Sequence, residues 1–224
     1  QIKFIIFHYT GMKNDKEAIN RLTDVKSKVS SHFLIRDNGK IITLVPELYV
    51  SWHAGISSWQ NYKSLNKHSI GIEISNPGHD NKYKKFSKKQ IQSILKLSKY
   101  LIKKYKIKNK FILGHSDIAP LRKKDPGEKF PWKHLSKNNV GLWHDLNEKK
   151  LFKTRELKVY KYHEINFLKN LYKIGYSRVL NKDKNKNIKL LTKAFQRRFR
   201  QTLINGIIDQ ECLLISKNIA KKFK

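Results

Sequence analysis

Four residues stand where an ordinary buried strand would not place them. His8 closes the apolar run Ile2-Lys3-Phe4-Ile5-Ile6-Phe7, and His115 follows Phe111-Ile112-Leu113-Gly114. Glu73 sits inside Ile70-Gly71-Ile72-Glu73-Ile74, and Asp125 comes ten residues after His115, behind the chain-reversing Pro120. A catalytic zinc needs three protein ligands, commonly imidazole mixed with carboxylate, and one open position for water. His8 and His115 would supply two ligands, with Asp125 as the third. A carboxylate within an apolar strand is costly unless it is paired or catalytic, which singles out Glu73. Taken one at a time, histidines at strand ends serve structure as readily as chemistry. Spacing alone leaves both a metal site and a set of structural histidines open.

These residues need strands that end together. The runs ending at His8, at Ile74 and at Gly114 each read as a short buried strand, the second stopped by Asn76-Pro77-Gly78. His32-Phe33-Leu34-Ile35-Arg36 and Ile41-Ile42-Thr43-Leu44-Val45 flank Asp37-Asn38-Gly39-Lys40 and read as a hairpin. Ser87 followed by Gln90 is a capping-box pattern, and Ile91, Ile94, Leu95, Leu101 and Ile102 recur at helical spacing behind it, predicting an amphipathic helix over 88–105. In open α/β sheets, active sites gather beyond the carboxyl ends of strands, where both histidines fall. From about 161 the pattern becomes wholly helical. Phe167, Leu168, Leu171 and Tyr172 make one stripe, and Leu190, Leu191, Ala194, Phe195 and Phe199 make a second. Asp209 reads as the N-cap of a third helix carrying Leu213, Leu214 and Ile219. The expected organisation is an α/β domain with a mixed sheet flanked by helices over 1–147, a polar linker over 148–160 and a small three-helix domain over 161–224.

Composition narrows the partners without naming one. Lys+Arg 49 against Asp+Glu 17 gives a formal charge of +32, which suits a polyanion: nucleic acid, an anionic membrane surface or an acidic polymer. The accompanying abundance of Lys, Ile and Asn also matches an AT-rich coding bias, so charge alone identifies nothing. The single cysteine, Cys212, excludes a disulfide framework and a thiolate zinc finger. No apolar run approaches the roughly 18 residues that would span a bilayer. With 39% hydrophobic and 11% aromatic residues, the chain can build a core. A chain that begins at Gln1 is expected to have lost a processed N-terminal segment, and a signal or lipid anchor with it.

The motifs, taken in order, resemble a family. His8-Tyr9-Thr10, Trp52-His53-Ala54-Gly55, Ser69-Ile70-Gly71-Ile72-Glu73, and Gly114-His115-Ser116-Asp117-Ile118-Ala119-Pro120 through Arg122-Lys123-Lys124-Asp125-Pro126-Gly127 are similar to those of the zinc N-acetylmuramoyl-L-alanine amidases of the amidase-2 type. Their fold is shared with peptidoglycan-recognition proteins. Phe130-Pro131-Trp132 and Gly141-Leu142-Trp143 extend the likeness over almost all of 1–147. Ala194-Phe195-Gln196-Arg197-Arg198-Phe199-Arg200 and Asn205-Gly206-Ile207-Ile208-Asp209 resemble a three-helix peptidoglycan-binding module, although Cys212 stands where such modules usually carry Thr.

The resemblance implies one Zn2+ per chain on His8, His115 and Asp125, with Glu73 as the catalytic carboxylate and Lys123 as its cationic partner. It implies hydrolysis of the amide between N-acetylmuramic acid, or its anhydro form, and L-alanine, in peptidoglycan or muropeptides. A periplasmic or envelope location in a bacterium follows from the same likeness. Trp52, His53, Ala54 and His32 are expected at the substrate groove, against bland readings of Trp52 as core filler and His32 as a hydrogen-bonded structural histidine. Asp117 reads as a loop-capping carboxylate. His68, His79, His134, His144 and His163 receive no role. Two other classes of function have less support in the residues. A non-catalytic peptidoglycan-recognition protein would lack a ligand, and none is missing. A nucleic-acid binder would rest on the basic stretch 196–200, with no base-reading motif beside it, and no nucleic-acid partner is expected.

Overall fold

The apolar run near the N-terminus forms β1 (Phe4–Tyr9) in the computed structural model, which describes residues 1–179 and 182–223. Helix α1 (Asp15–Thr23) follows, its first turn capped by the Asn14 side chain. The expected hairpin is β2 (Phe33–Ile35) and β3 (Ile41–Thr43), paired antiparallel. Gly39 turns it with φ +84°, and a Cβ there would lie 2.8 Å from the Lys89 carbonyl oxygen. A second, unforeseen hairpin, β4 (Ser58–Trp59) with β5 (Tyr62–Lys63), precedes β6 (Ser69–Ile74). Helix α2 (Lys88–Tyr105) starts at the predicted capping box: Ser87 accepts from the Gln90 amide while Gln90 accepts from that of Ser87. Then come β7 (Ile112–Gly114), α3 (His115–Ile118), α4 (Trp132–Lys137), α5 (Glu148–Phe152), α6 (Lys161–Ile174), α7 (Lys184–Phe199) and α8 (Gln210–Lys221). Asp209 caps α8, as expected, by accepting from Cys212 N–H at 2.9 Å. No helix among the described residues is long and apolar enough to cross a membrane.

The main sheet has the order β3-β2-β6-β1-β7. Pairs β1–β6, β1–β7 and β2–β6 are parallel, and β3 runs antiparallel to β2, so the sheet is mixed. Central parallel strands must be covered on both faces. Ile5, Phe7, Ile70, Ile72 and Ile74 point to one face, against Ile94, Leu97 and Leu101 of α2. Phe4 and Ile6 point to the other, where Phe167, Leu171, Phe195 and Ile215 of α6, α7 and α8 join them in one core.

That shared core replaces the expected satellite on a tether. The stretch 148–160, expected to be a linker, opens with α5, whose Leu151 is buried in the same core. Arg198 of α7 is 3% exposed, stacks on the Trp132 ring and donates to the Ile112 carbonyl of β7 at 3.2 Å. Gly175, at the end of α6, meets the Trp59 indole so closely that a Cβ would lie 2.6 Å from it. The reason is area: Phe4 and Ile6 leave an apolar sheet face, and three short helices each carry an apolar stripe to cover it. The expected C-terminal bound at 224 lies outside the described residues, as do positions 180 and 181.

Candidate functional site

The register of the two central strands builds one row of the site. Phe4 lies opposite Ser69, Ile6 opposite Gly71 and His8 opposite Glu73. Directly opposed residues of a parallel pair share a face, so Ser69, Gly71 and Glu73 line up beside Phe4, Ile6 and His8. On the other side of β1, β7 ends at Gly114 and hands the chain to α3, whose first residue is His115. The loop beyond α3 then brings Asp125 back, with Ser116 N–H donating to the Asp125 carbonyl at 2.8 Å.

The result is a triangle. His8 Nδ1 and His115 Nδ1 are 3.0 Å apart, and each is 3.0 Å from Asp125 Oδ2. All three residues are buried. A tetrahedral zinc with bonds of ~2.0–2.1 Å sets its ligand atoms about 3.3 Å apart, close to these edges. Burial pushes the His8 imidazole down to about 4, the adjacent His115 ring adds to this, and the pull of Asp125 does not reverse it. Burial alone would raise Asp125, but the two imidazoles outweigh it and hold the carboxyl well below the usual range. The donor set is therefore one imidazole nitrogen from each of His8 and His115 and a carboxylate oxygen from Asp125. That set suits a divalent ion, and the three residues fit one.

Glu73 adjoins this triangle. Its Oε2 is buried and has no hydrogen-bond partner among the described residues. Burial pushes its carboxyl up to about 8, the Asp125 charge adds to the rise, and the Lys123 ammonium opposes it. Glu73, Lys123, the three triangle residues and Trp52 line a single cleft of about 470 Å³. Trp52 is 55% exposed and so forms cleft wall, against the reading of it as core filler.

Two of the expected groove residues lie elsewhere. His32 is fully buried; its Nδ1 accepts from Gly71 N–H at 3.0 Å and its Nε2 faces the Tyr49 carbonyl at 3.1 Å. Ala54 is fully buried too, and its carbonyl faces His115 Nε2 at 3.1 Å. Both are corrected from substrate contacts to internal supports, because neither side chain reaches the cleft. His53 lines the cleft but is buried, and its ring nitrogens are spent on His8 and Ser69.

Other readings are resolved by partners distant in sequence. Asp117 caps α3 by accepting from Gly114 N–H at 2.8 Å, as the loop-capping reading expects, and also accepts from Tyr176 O–H at 2.7 Å. His79, given no role from sequence, bridges Tyr9 Oη at 2.9 Å and Glu128 Oε2 at 3.0 Å at the edge of the site. Sequence assigns no role to Arg122 either, although it opens the Arg122-Lys123-Lys124-Asp125 motif. It binds the Ala54 and Ile56 carbonyls at 2.5 and 2.7 Å. Nothing in its local pattern distinguishes a clamp from a surface arginine.

Comparison with known proteins gives a consistent result. Residues 1–128 match the model of the N-acetylmuramoyl-L-alanine amidase family, Amidase_2. The chain is 35% identical to the N-acetylmuramoyl-L-alanine amidase AmiD of Escherichia coli, over 100% of this chain and 84% of that protein. A structure of AmiD in complex with anhydro-N-acetylmuramic acid-L-Ala-D-γ-Glu-L-Lys superposes with a TM-score of 0.87, covering 99% of this chain and 89% of that one. AmpDH3 of Pseudomonas aeruginosa, in complex with an anhydromuramic pentapeptide, superposes at 0.85 with 28% identity, over 99% and 92% of the two chains.

Proposed function

Because the chain belongs to the Amidase_2 family of N-acetylmuramoyl-L-alanine amidases, we propose that it hydrolyses the amide between N-acetylmuramic acid or its anhydro form and L-alanine, using a zinc ion held by His8, His115 and Asp125. The observation that carries this reading is the triangle of two imidazole nitrogens and a carboxylate oxygen with 3.0 Å edges, beside a buried carboxylate oxygen that lacks a partner among the described residues. Zinc at that position supplies a water of lowered pKa, toward ~7, and a Lewis acid for the scissile carbonyl. Glu73 takes the proton of the attacking water and delivers it to the amine of L-alanine as the C–N bond breaks. The Lys123 ammonium, lining the same cleft, stabilises negative charge developing on the carbonyl oxygen. The products are the lactyl carboxylate of the muramic acid and a free stem peptide headed by L-alanine.

The ligands of the two solved relatives support anhydro-muropeptides as substrates. We read residues 1–147 as the catalytic unit and the helices of 161–224 as a peptidoglycan-binding-like region docked on it, in the envelope of a bacterium. The excess positive charge assists capture of acidic stem peptides. A non-catalytic recognition role is disfavoured because all three ligand positions are filled by ligand-type residues. Mass spectrometry of defined muropeptides, with and without a chelator, tests the whole reading. Stem peptide released only when metal is present is the expected result. Cleavage that is indifferent to chelation overturns the zinc assignment, and absence of cleavage under both conditions overturns the reaction.

A further inference from the structure

The hydrogen bonds behind the triangle run in one direction, and they can be ordered from a fixed end. The Leu65 carbonyl can only accept, so Ser69 O–H donates to it at 2.6 Å. Ser69 Oγ then accepts from His53 Nε2, 3.1 Å away. As a neutral ring, His53 is left with a bare Nδ1, which lies 3.0 Å from His8 Nε2. His8 therefore carries its proton on Nε2 and presents a bare Nδ1 to the triangle. The second ring has its own fixed end. Arg122 Nη2 has two hydrogens and spends them on the Ala54 and Ile56 carbonyls. These shorter contacts occupy both hydrogens and leave none for the 3.3 Å approach of Arg122 Nη2 to His115 Nε2, so that nitrogen donates to the Ala54 carbonyl at 3.1 Å. His115 Nδ1 is bare as well.

We propose that the His53-Ala54 segment is the positioning shell of the metal centre: His53, braced by Ser69, and the Ala54 carbonyl, clamped by Arg122, lock both ligand histidines in the tautomer that aims a bare Nδ1 at the metal position. This role rests on the zinc reading above and goes further, since it takes His53 and Ala54 out of substrate binding. The spacing of the β6 motif then has a physical reason. Ser69, Gly71 and Glu73 share one sheet face: Ser69 holds the far nitrogen of His53, Glu73 faces the cleft, and Gly71 leaves room for the imidazole between them. A Cβ on Gly71 would lie 2.4 Å from His53 Cγ.

Two measurements test this. Zinc affinity of the chelator-stripped full chain, read by competition with a chromophoric chelator, should fall about 10- to 100-fold in His53→Phe, the usual loss when a partner of a metal-bound histidine is removed. His53→Asn, which sets an amide oxygen near the place of Nδ1, should recover most of that loss, and Ser69→Ala should lose less than His53→Phe. Wild-type affinity in a His53→Phe protein whose metal-free melting temperature is unchanged would overturn the role. The second measurement needs no variant. 15N NMR of histidine-labelled, zinc-free protein should find His8, His53 and His115 as Nε2–H tautomers. A proton on Nδ1 of neutral His8 or His53 would overturn the relay even if His53→Phe failed to fold. A wild-type chain that takes up no zinc overturns the metal centre itself, whereas a wild type that binds while His53→Phe binds equally overturns only the positioning role.

Discussion

Two buried polar clusters of this protein contrast with each other. In the helical region Arg200, Asp209 and Glu211 are each at most 3% exposed, and their charges close on one another. Arg200 pairs with Asp209 and lies 3.5 Å from Glu211, which Arg155 grips through two nitrogens at 2.7 and 2.9 Å. Asp209 also caps α8 and accepts from Glu156 N–H at 3.1 Å. In the cleft, by contrast, three acceptor atoms face one another at 3.0 Å, and Glu73 Oε2 faces no partner among the described residues. A polar network that satisfies itself holds a fold together. One that leaves acceptors converging on a point is shaped for a guest, since uncompensated buried polar groups are otherwise expensive. Fold and site both bury carboxylates, and the difference lies in whether the hydrogen bonds close within the chain.

Substitutions in the two clusters should therefore fail in different ways. The largest effect is expected from Glu73→Gln. It should bind zinc as the wild type does but lose roughly 10²–10⁴-fold in turnover, the range for a positioned acid–base group. Steady-state hydrolysis measured beside zinc stoichiometry checks this, and an active Glu73→Gln would remove Glu73 from the mechanism. Next is Arg200→Ala, which leaves the buried Asp209 carboxylate without its charge partner and should cost about 3–5 kcal/mol in a denaturant melt. Zinc affinity of the variant that remains folded should stay at the wild-type level. Loss of zinc without loss of stability would erase the contrast between the clusters.

A third effect concerns pH. The Glu73 carboxyl is raised to about 8, first by burial and then by Asp125, against the pull of Lys123. Between its unfolded value near ~4.3 and about 8, the folded chain binds more protons here than the unfolded one, so this group's contribution to stability declines as pH rises through that window. Melting temperatures of the chelator-stripped protein at about pH 5 and about pH 8 should differ less in Glu73→Gln than in wild type. An equal difference in both would mean that Glu73 is not desolvated. The smallest effect is Ser87→Ala. It removes the capping oxygen of α2, which belongs to neither cluster, and should cost about 1 kcal/mol in a thermal or denaturant melt while leaving hydrolysis intact.

Much of the site was legible in the sequence because its signals are local. A carboxylate inside the apolar run of β6, histidines at the ends of β1 and β7, and an aspartate ten residues after His115 are anomalies against strong local patterns. The same holds for α2, where a capping box and a 3.6-residue stripe sit within one segment. The roles of His53, Ala54 and Arg122 were not legible. Each depends on a partner 45 to 68 residues away, and in isolation each motif residue also looks like groove wall or surface. The joining of the helical region to the sheet was hidden for a related reason. Stripes on α6 and α7 announce that something must be covered, but not that Phe4 and Ile6 are what they cover.

Sequence by itself determined the strands of the main sheet, α2 and the three C-terminal helices, the residues able to hold a metal and the carboxylate beside them, since these follow from side-chain type and from periods of two and 3.6 residues along the chain. Tertiary structure alone decided which nitrogen of each histidine faces Asp125, and that the C-terminal helices wall the sheet. Both depend on strand register and helix docking, and no local pattern encodes a distance between segments that meet only once the chain has folded.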